Sequence, residues 1–339
     1  MVVNASLVFL EVPHGAPVPG KTLKRVEEEL DVATVDLQGG VLLKNKALSL
    51  DPYQKGRMRA PSKASYNQPF AIGKVIDTLG VGVVERSDHP DFPKGAILKG
   101  LLPFSEYAVI SKARLDMKLA KVVEKPDGIA WTTMVGACGM PSATAWIGLY
   151  EIGRIKKDDT IFISAASGAV GQIAGQLAKR EGLTVIGSAG SDEKVAFLKE
   201  IGFDHAFNYK TTSTQDFLEQ HPPSVVFENV GGETLDAVLA TIQNNGRIIH
   251  CGSVSQYNLP PDQQYGLKNT SNVVTKRLRW EGFIVSNHDW TEFDKTMPKL
   301  VANGEIKFKE HVTKGIDNGE AFLDMLEGRN FGKAVVSLE

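Results

Sequence analysis

The chain has 339 residues, of which 42% are hydrophobic and 23% are charged, and its formal net charge at pH 7 is −2. Such a composition is typical of a globular protein, and so small a charge gives no electrostatic reason to expect nucleic acid or an anionic membrane as a partner. The length predicts two domains at ~100–200 residues each. No run of 18 apolar residues occurs, and the first residues lack the pattern of a signal peptide, so we expect a cytoplasmic protein.

Metal chemistry and disulfides have little support in the sequence. Cys138 and Cys251 are the only cysteines, and each lies beside small residues. We interpret both as free thiols that pack as small hydrophobic side chains. The seven histidines include no His-x-x-x-His pair, and no Cys/His spacing resembles a zinc site. The sequence therefore predicts no bound metal.

Residues 1 to about 125 are rich in glycine and proline and contain short β-like runs at 41–50, 71–85 and 107–110. Gly73, Gly80 and Gly82 predict bends or bulges within the second run. No long helical period is present in this part of the chain. These features favour a β-rich, barrel-like domain.

From about residue 130 to 300 the pattern changes to alternating strands and helices, which predicts βαβ units and a parallel sheet. Helix signals include an N-cap at Ser191, a stop at Gly202 and Pro298, which should kink or divide the last helix. The final residues are again strand-like and are expected to return to the first domain. Strands are predicted at 160–163, 183–188, 224–230, 247–252, 278–285 and 332–338, and helices after 170 and at 191–202, 235–242 and 290–302.

The stretch 160–171 (TIFISAASGAVG) is the most informative part of the sequence. Ile161, Phe162 and Ile163 suit a buried parallel strand, and Ala166-x-Gly168-x-x-Gly171 is a variant of the dinucleotide fingerprint. Small residues in such a turn let the backbone approach a pyrophosphate, which the N-terminus of the following helix also attracts. This order of strand, turn and helix predicts a dinucleotide site.

The end of the second strand of this domain indicates which dinucleotide binds. An NAD site usually has an acidic residue there, which holds the ribose 2′-hydroxyl. This chain has instead Gly187, Ser188, Ala189 and Gly190, and Lys194 follows. A missing carboxylate and a nearby cation favour a 2′-phosphate, so we predict NADPH.

Several motifs together resemble one family. The chain is similar to the zinc-free medium-chain dehydrogenase/reductases, and most of all to the NADPH-dependent alkenal/enone double-bond reductases. The resemblance implies a GroES-like catalytic domain of residues 1–130, completed by 305–339, and an inserted Rossmann domain of residues 131–304. The matching segments are 49–53 (SLDPY), 139–145 (GMPSATA), 165–171, 190–194 (GSDEK), 207–210 (FNYK), 228–232 (ENVGG), 251–252, 257–258 and 330–333 (NFGK).

The resemblance also implies roles for individual residues. Tyr53 would face the substrate as a hydrogen-bond or proton donor, and Thr275 stands where relatives often carry a tyrosine, which predicts an altered substrate pocket. The polar stretch 263–272 also differs from the family pattern. The residues expected to bind the cofactor are Gly168, Ala169, Val170, Gly171, Ser188, Gly190, Lys194, Tyr209, Asn229, Cys251, Phe283, Val285 and Asn330.

The reaction implied is hydride transfer from NADPH to the β-carbon of an α,β-unsaturated aldehyde or ketone. An NADPH quinone oxidoreductase is the nearest alternative, and a non-catalytic NADPH-binding sensor is an alternative of another class. A secondary-alcohol dehydrogenase fits less well, because the zinc ligands that polarise an alcohol are missing. The family also implies a homodimer, for which the strand predicted at 278–285 is a candidate edge.

Overall fold

The computed structural model describes the whole chain, Met1–Glu339. The chain divides into two compact units: one combines Met1–Gly136 with Glu310–Glu339, and the other is Ala137–Lys309. The first unit is therefore formed by the two ends of the chain, and the second by the segment between them. None of the helices is long and apolar enough to cross a membrane.

Strands dominate the first 136 residues, and only short helices interrupt them. The predicted strands at 41–50 and 107–110 are confirmed, whereas the run 71–85 forms two strands that begin after Gly73. The elements are β1 (Val2–Phe9), β2 (Leu23–Leu30), β3 (Val41–Ser49), α1 (Tyr53–Arg57), β4 (Lys74–Val75), β5 (Asp77–Ser87), β6 (Ile97–Pro103), β7 (Tyr107–Ile110), α2 (Lys112–Asp116), β8 (Ala120–Val123) and α3 (Trp131–Val135).

In the second unit strands and helices alternate as predicted. A π-helical turn, Gly148–Ile152, extends the first helix, and 3-10 turns lie at Val254–Gln256, Pro261–Gln263 and Val285–Asn287. The elements are α4 (Met140–Ile147), β9 (Thr160–Ile163), α5 (Gly171–Arg180), β10 (Thr184–Ala189), α6 (Asp192–Glu200), β11 (His205–Asn208), α7 (Thr214–Gln220), β12 (Val225–Glu228), α8 (Gly232–Thr241), β13 (Arg247–His250), α9 (Asn272–Thr275), β14 (Arg279–Gly282) and α10 (Thr291–Ala302).

One parallel sheet forms the centre of this unit, in the order β11-β10-β9-β12-β13-β14. This is the strand order of a Rossmann sheet, and the order reverses between β9 and β12. Strands covered on both faces are apolar throughout, and Ile161, Phe162 and Ile163 are fully buried. The α/β fold class with a doubly wound parallel sheet is therefore confirmed.

Two details of this unit differ from the sequence prediction. The strand predicted at 278–285 is shorter, because β14 ends at Gly282 and Val285 begins a 3-10 turn. Pro298 does not divide the last helix, which runs without interruption through Thr291–Ala302. Phe293, Met297 and Leu300 are buried on that helix, and their packing outweighs the loss of one backbone hydrogen bond at the proline.

The chain then returns to the first unit as β15 (Glu310–Lys314), α11 (Glu320–Leu326) and β16 (Lys333–Ser337). β16 pairs antiparallel with β3, so that Val335 lies opposite Ser49. The larger sheet of this unit has the order β15-β16-β3-β5-β6-β8, with β7 also paired to β3, and β2-β1-β4 form a smaller sheet. The first unit is thus the separate β-rich domain that was predicted.

A buried ion pair connects β16 to the residues that precede α1. Lys333 Nζ lies 3.0 Å from Asp51 Oδ1 and donates to the Leu50 carbonyl oxygen at 2.5 Å. Ser49 Oγ donates to the other carboxylate oxygen of Asp51 at 2.5 Å. Asp51 and Lys333 are only 3% and 2% exposed. Removal of either charge would therefore leave the other buried without its counterion.

We expect Lys333→Met to lower the free energy of unfolding by about 3–5 kcal/mol, because it leaves the Asp51 carboxylate buried without its cation. Denaturant unfolding of the purified variant measures this change. Lys314→Met, at an exposed lysine of the neighbouring strand β15, is the matched control. The double variant Asp51→Asn/Lys333→Met should regain part of the loss, and a single variant as stable as the wild type would contradict the prediction.

Candidate cofactor site

The fingerprint turn between β9 and α5 has no space for a side chain at Gly171. A Cβ atom on Gly171 would lie 2.6 Å from Ala166 Cα and 2.7 Å from the carbonyl oxygens of Ala165 and Ala166. Gly168, Ala169 and Val170 are half-buried, so the outer face of the turn is open to a ligand. The Ala166 N–H donates to the Ser188 carbonyl oxygen at 2.8 Å and ties the turn to β10. A tight turn of small residues before a helix is the arrangement that binds a pyrophosphate in dinucleotide folds.

Ala165 carries backbone strain within the same turn. Its φ of +48° lies in the left-handed region, which costs a residue with a Cβ roughly 1–2 kcal/mol. Its carbonyl oxygen accepts a hydrogen bond from the Gly168 N–H at 2.9 Å. Strain of this kind persists where surrounding contacts hold the backbone, and it clusters at functional sites.

We expect Gly171→Ala to destabilise the fold by about 1–3 kcal/mol, since the new methyl group would lie within 2.7 Å of three backbone atoms. The variant should also bind NADPH more weakly than the wild type, because the turn must shift to accept the methyl group. Thermal melting and NADPH fluorescence titration measure the two effects.

Gly168→Ala is the matched control for this substitution. A Cβ atom there would meet only the Ala165 carbonyl oxygen, at 3.1 Å. The control should therefore change the melting temperature much less. Equal losses of stability in the two variants would mean that the backbone at Gly171 is not the tight position of the turn.

The corner at the end of β10 brings two lysines, Lys194 and Lys210, close enough to influence one another. Ser191 caps α6 by accepting from the Lys194 N–H at 3.3 Å, which fixes the backbone of Lys194 at this corner. Burial and the charge of Lys210 lower the pKa of Lys194, and Glu193 opposes them more weakly. Two lysines that repel one another fit a dianionic 2′-phosphate, which relieves the repulsion.

The other groups at this corner leave it open to the adenosine end of a cofactor. The Asp192 carboxylate accepts from Asn208 Nδ2 at 2.9 Å. The side chain of Tyr209 is exposed, and its hydroxyl would lie 3.0 Å from a Cβ atom on Gly190. Ser188 is buried, and it supports the turn through its carbonyl oxygen. Gly190, Lys194 and Tyr209 thus lie at the same corner of the second unit.

At the ends of β9 and β12 a polar network surrounds Asn229. Its N–H donates to Ser164 Oγ and its side-chain amide donates to the Ser164 carbonyl oxygen, both at 2.8 Å. The preceding residue, Glu228, is fully buried, and its Oε1 accepts from the N–H groups of Val230 and Gly231 at 2.7 Å. Asn229 therefore joins the two strands at the point where the strand order reverses, which is where dinucleotides bind in such sheets.

Cys251 and Phe283 follow the ends of β13 and β14, and both line an open cavity of about 560 Å³. Burial, together with the charge of Glu228, raises the pKa of the Cys251 thiol to about 12. The Val285 carbonyl oxygen accepts from the indole N–H of Trp290 at 2.9 Å. The residues that line this cavity are Ile152, His250, Cys251, Glu281, Gly282, Phe283, Ile284, Asn287 and His288.

The two remaining predicted residues belong to the first unit. Tyr53 is the first residue of α1, and both burial and the Asp51 carboxylate raise its pKa well above the ordinary value of a phenol. Asn330 donates from Nδ2 to the Gly332 carbonyl oxygen at 2.8 Å. Thr275, where relatives were expected to carry tyrosine, ends the short helix α9 and is exposed.

Sequence reasoning missed two residues of this site. Lys210 follows Tyr209 directly, and a cation next to an expected adenosine contact could have been noticed. Glu228 ends a buried apolar strand, and an acidic residue in that position is a signal in itself because buried carboxylates are rare. The lack of a hydrogen-bond partner for its Oε2, by contrast, can be seen only in the structure.

The fold and the site define a dinucleotide-dependent oxidoreductase. Comparison with family models matches residues 7–118 to the N-terminal domain of oxidoreductases and residues 169–302 to the zinc-binding dehydrogenases. The second family is described as zinc-binding. In this chain, however, no group of three or more His, Cys, Asp or Glu side chains is placed so that it could hold a metal ion.

Relatives match the chain over nearly its whole length. It is 42% identical to the NADP-dependent oxidoreductase RED1 of Cochliobolus heterostrophus, over 100% of this chain and 98% of that protein. It is 40% identical to the NADP(+)-dependent 2-alkenal reductase of Nicotiana tabacum, over 92% and 93%. CurA of Vibrio vulnificus in complex with NADPH superimposes with a TM-score of 0.87, at 32% identity and 99% coverage of both chains. The chain belongs to the medium-chain dehydrogenase/reductase family, in its zinc-independent branch of the alkenal-reductase type.

Proposed function

We propose that this protein reduces the carbon–carbon double bond of α,β-unsaturated aldehydes and ketones with NADPH. The observation that carries the proposal is the pair of lysines Lys194 and Lys210 at the end of β10, which fits a 2′-phosphate, in a chain 40% identical to a 2-alkenal reductase. NADPH, when bound, supplies the hydride that adds to the β-carbon of the substrate.

The residues of the second unit would hold the cofactor along the carboxyl edge of its sheet. Backbone N–H groups of the turn Gly168–Gly171, with Ala169 and Val170 between them, suit the pyrophosphate. Lys194, Lys210 and Tyr209, beside Gly190 and Ser188, suit the 2′-phosphate and the adenosine. Asn229, Cys251, Phe283 and Val285 are proposed for the nicotinamide half, and Asn330 of the first unit is proposed as a further cofactor contact.

Tyr53 is proposed as the donor to the substrate. Because its pKa is raised by burial and by Asp51, the phenol keeps its proton throughout the neutral and mildly basic range. Negative charge develops on the carbonyl oxygen as hydride reaches the β-carbon, and a donor aimed at that oxygen stabilises it. The α-carbon then takes one proton, either from water directly or from the phenol, which regains a proton from water, and the product is the saturated carbonyl compound.

We also propose that the protein is a homodimer. β14 lies at the edge of the parallel sheet and pairs only with β13, so its outer backbone groups are open to another strand. Antiparallel pairing of two β14 strands would give a closed twofold assembly. Sedimentation equilibrium tests this proposal, and a monomer at micromolar concentration would contradict it.

A cytoplasmic location is a further proposal. Both cysteines are free thiols, which suits a reducing compartment. Cell fractionation with an antibody to the protein tests the location, and recovery from a membrane or secreted fraction would contradict it.

The activity is tested by following NADPH oxidation with a panel of 2-alkenals, enones and benzoquinones, with NADH as the control cofactor. Turnover of enals or enones to the saturated carbonyl, identified by mass spectrometry, is the expected result. Turnover of quinones alone would overturn the proposal in favour of a quinone oxidoreductase. Tight NADPH binding without oxidation by any acceptor would favour a non-catalytic sensor.

A further inference from the structure

Glu228 is a buried carboxylate without a cationic partner. It is 0% exposed, and its Oε1 accepts from two backbone N–H groups. The Ser164 hydroxyl also favours its charged form, but Oε2 lies within hydrogen-bond distance of no donor, and no lysine or arginine forms an ion pair with the carboxylate. A buried negative charge without a cation is expensive, so its retention calls for a functional explanation.

The position of Glu228 places this charge at the proposed nicotinamide site. It is the last residue of β12, and its carbonyl oxygen accepts from the N–H groups of Cys251 and Gly252 at 2.9 and 3.2 Å. The field of its carboxylate reaches the Cys251 thiol, whose pKa it helps to raise. Asn229 follows it directly, so Glu228 lies between two residues proposed to contact the nicotinamide half of NADPH.

We propose that Glu228 tunes the bound cofactor electrostatically, as its buried negative charge favours the oxidised cofactor over the reduced one. The oxidised nicotinamide ring is cationic and the reduced ring is neutral, so a fixed negative charge nearby stabilises the oxidised form selectively. The effect makes hydride donation more favourable. The proposal rests on the proposed function, since it takes the nicotinamide to lie beside Cys251 and Asn229.

The proposal predicts a specific pH dependence of cofactor binding. Burial raises the pKa of Glu228 to about 7, so its charge appears as the pH rises through neutrality. The Cys251 thiol stays protonated in this range. His250, opposite Glu228 in the strand register, has a pKa lowered by burial, and its Nδ1 accepts from Trp280. His288 lines the same cavity as Cys251 and pairs with Glu151, so the comparison with Glu228→Gln assigns the pH dependence to Glu228.

The experiment measures the Kd of NADPH and of NADP+ by isothermal titration calorimetry at about pH 6 and about pH 8.5. The quantity compared is the ratio of the Kd of NADPH to that of NADP+, because titration of the 2′-phosphate affects both cofactors and cancels. For the wild type we expect this ratio to rise about fivefold with pH, which corresponds to ~1 kcal/mol at ~1.4 kcal/mol per factor of ten. In Glu228→Gln the ratio should be independent of pH and about fivefold lower than that of the wild type at the higher pH.

Glu233→Gln, an exposed glutamate in the first turn of α8, is the matched control and should behave as the wild type does. A wild-type ratio that does not change with pH would overturn the inference without any variant. So would an equal pH dependence in folded Glu228→Gln, whose fold is checked by its melting curve. Failure of the wild type to bind either cofactor would overturn the proposed function itself.

Discussion

Replacement of Tyr53 by phenylalanine is expected to lower kcat about 100- to 1,000-fold, the usual effect of removing one donor to a developing oxyanion. The Kd of NADPH should stay near its wild-type value, because Tyr53 lies in the first unit and the proposed phosphate contacts lie in the second. Steady-state kinetics with a 2-alkenal and fluorescence titration with NADPH separate the two quantities.

Tyr150→Phe is the matched control for this variant. Its phenol donates to Glu181 at 2.9 Å in the second unit, so its loss removes a hydrogen bond unrelated to the proposed chemistry. Because the pKa of Tyr53 is raised, loss of the phenolic proton should not lower the wild-type kcat in the mildly basic range. Wild-type turnover in Tyr53→Phe would remove this residue from the mechanism and leave water as the proton source.

Local patterns were sufficient to predict most of the fold. The apolar run Ile161–Ile163 and the small-residue turn after it dictate a buried strand and a helix start, since both depend on neighbours in sequence. Ser191 likewise caps α6 as predicted, because capping is a contact within four residues. Pro298 shows the limit of such rules, since burial of Met297 and Leu300 holds α10 together across the proline.

The parts of the site that could not be predicted depend on contacts between distant segments. Ala165 adopts a left-handed backbone because the turn is held to β10 and to Gly168, which sequence periodicity does not report. Lys210 acts on Lys194 only because β11 lies beside β10. Glu228 Oε2 has no hydrogen-bond partner because none of the segments packed around it places a donor within reach. Charge and strain at a site are therefore set by tertiary contacts, even where the motif beside them is visible in the sequence.

Lys194→Ala is expected to raise the Kd of NADPH about 10- to 100-fold, equivalent to the ~1.5–3 kcal/mol of a hydrogen bond to a charged group. The Kd of NADH should change little, because NADH lacks the 2′-phosphate. Fluorescence titration of both cofactors measures the difference. Since part of the interaction is electrostatic, the preference for NADPH should also fall as ionic strength rises.

Lys199→Ala, an exposed lysine near the other end of α6, is the matched control and should leave both constants unchanged. Lys210→Ala should weaken NADPH binding less than Lys194→Ala, because Lys210 is more exposed and its charge is better screened by water. Equal losses of NADPH and NADH in Lys194→Ala would mean that the lysine supports the fold of the corner and does not recognise the phosphate. Specificity for NADPH would then have to come from Lys210 and from the missing acid at the end of β10.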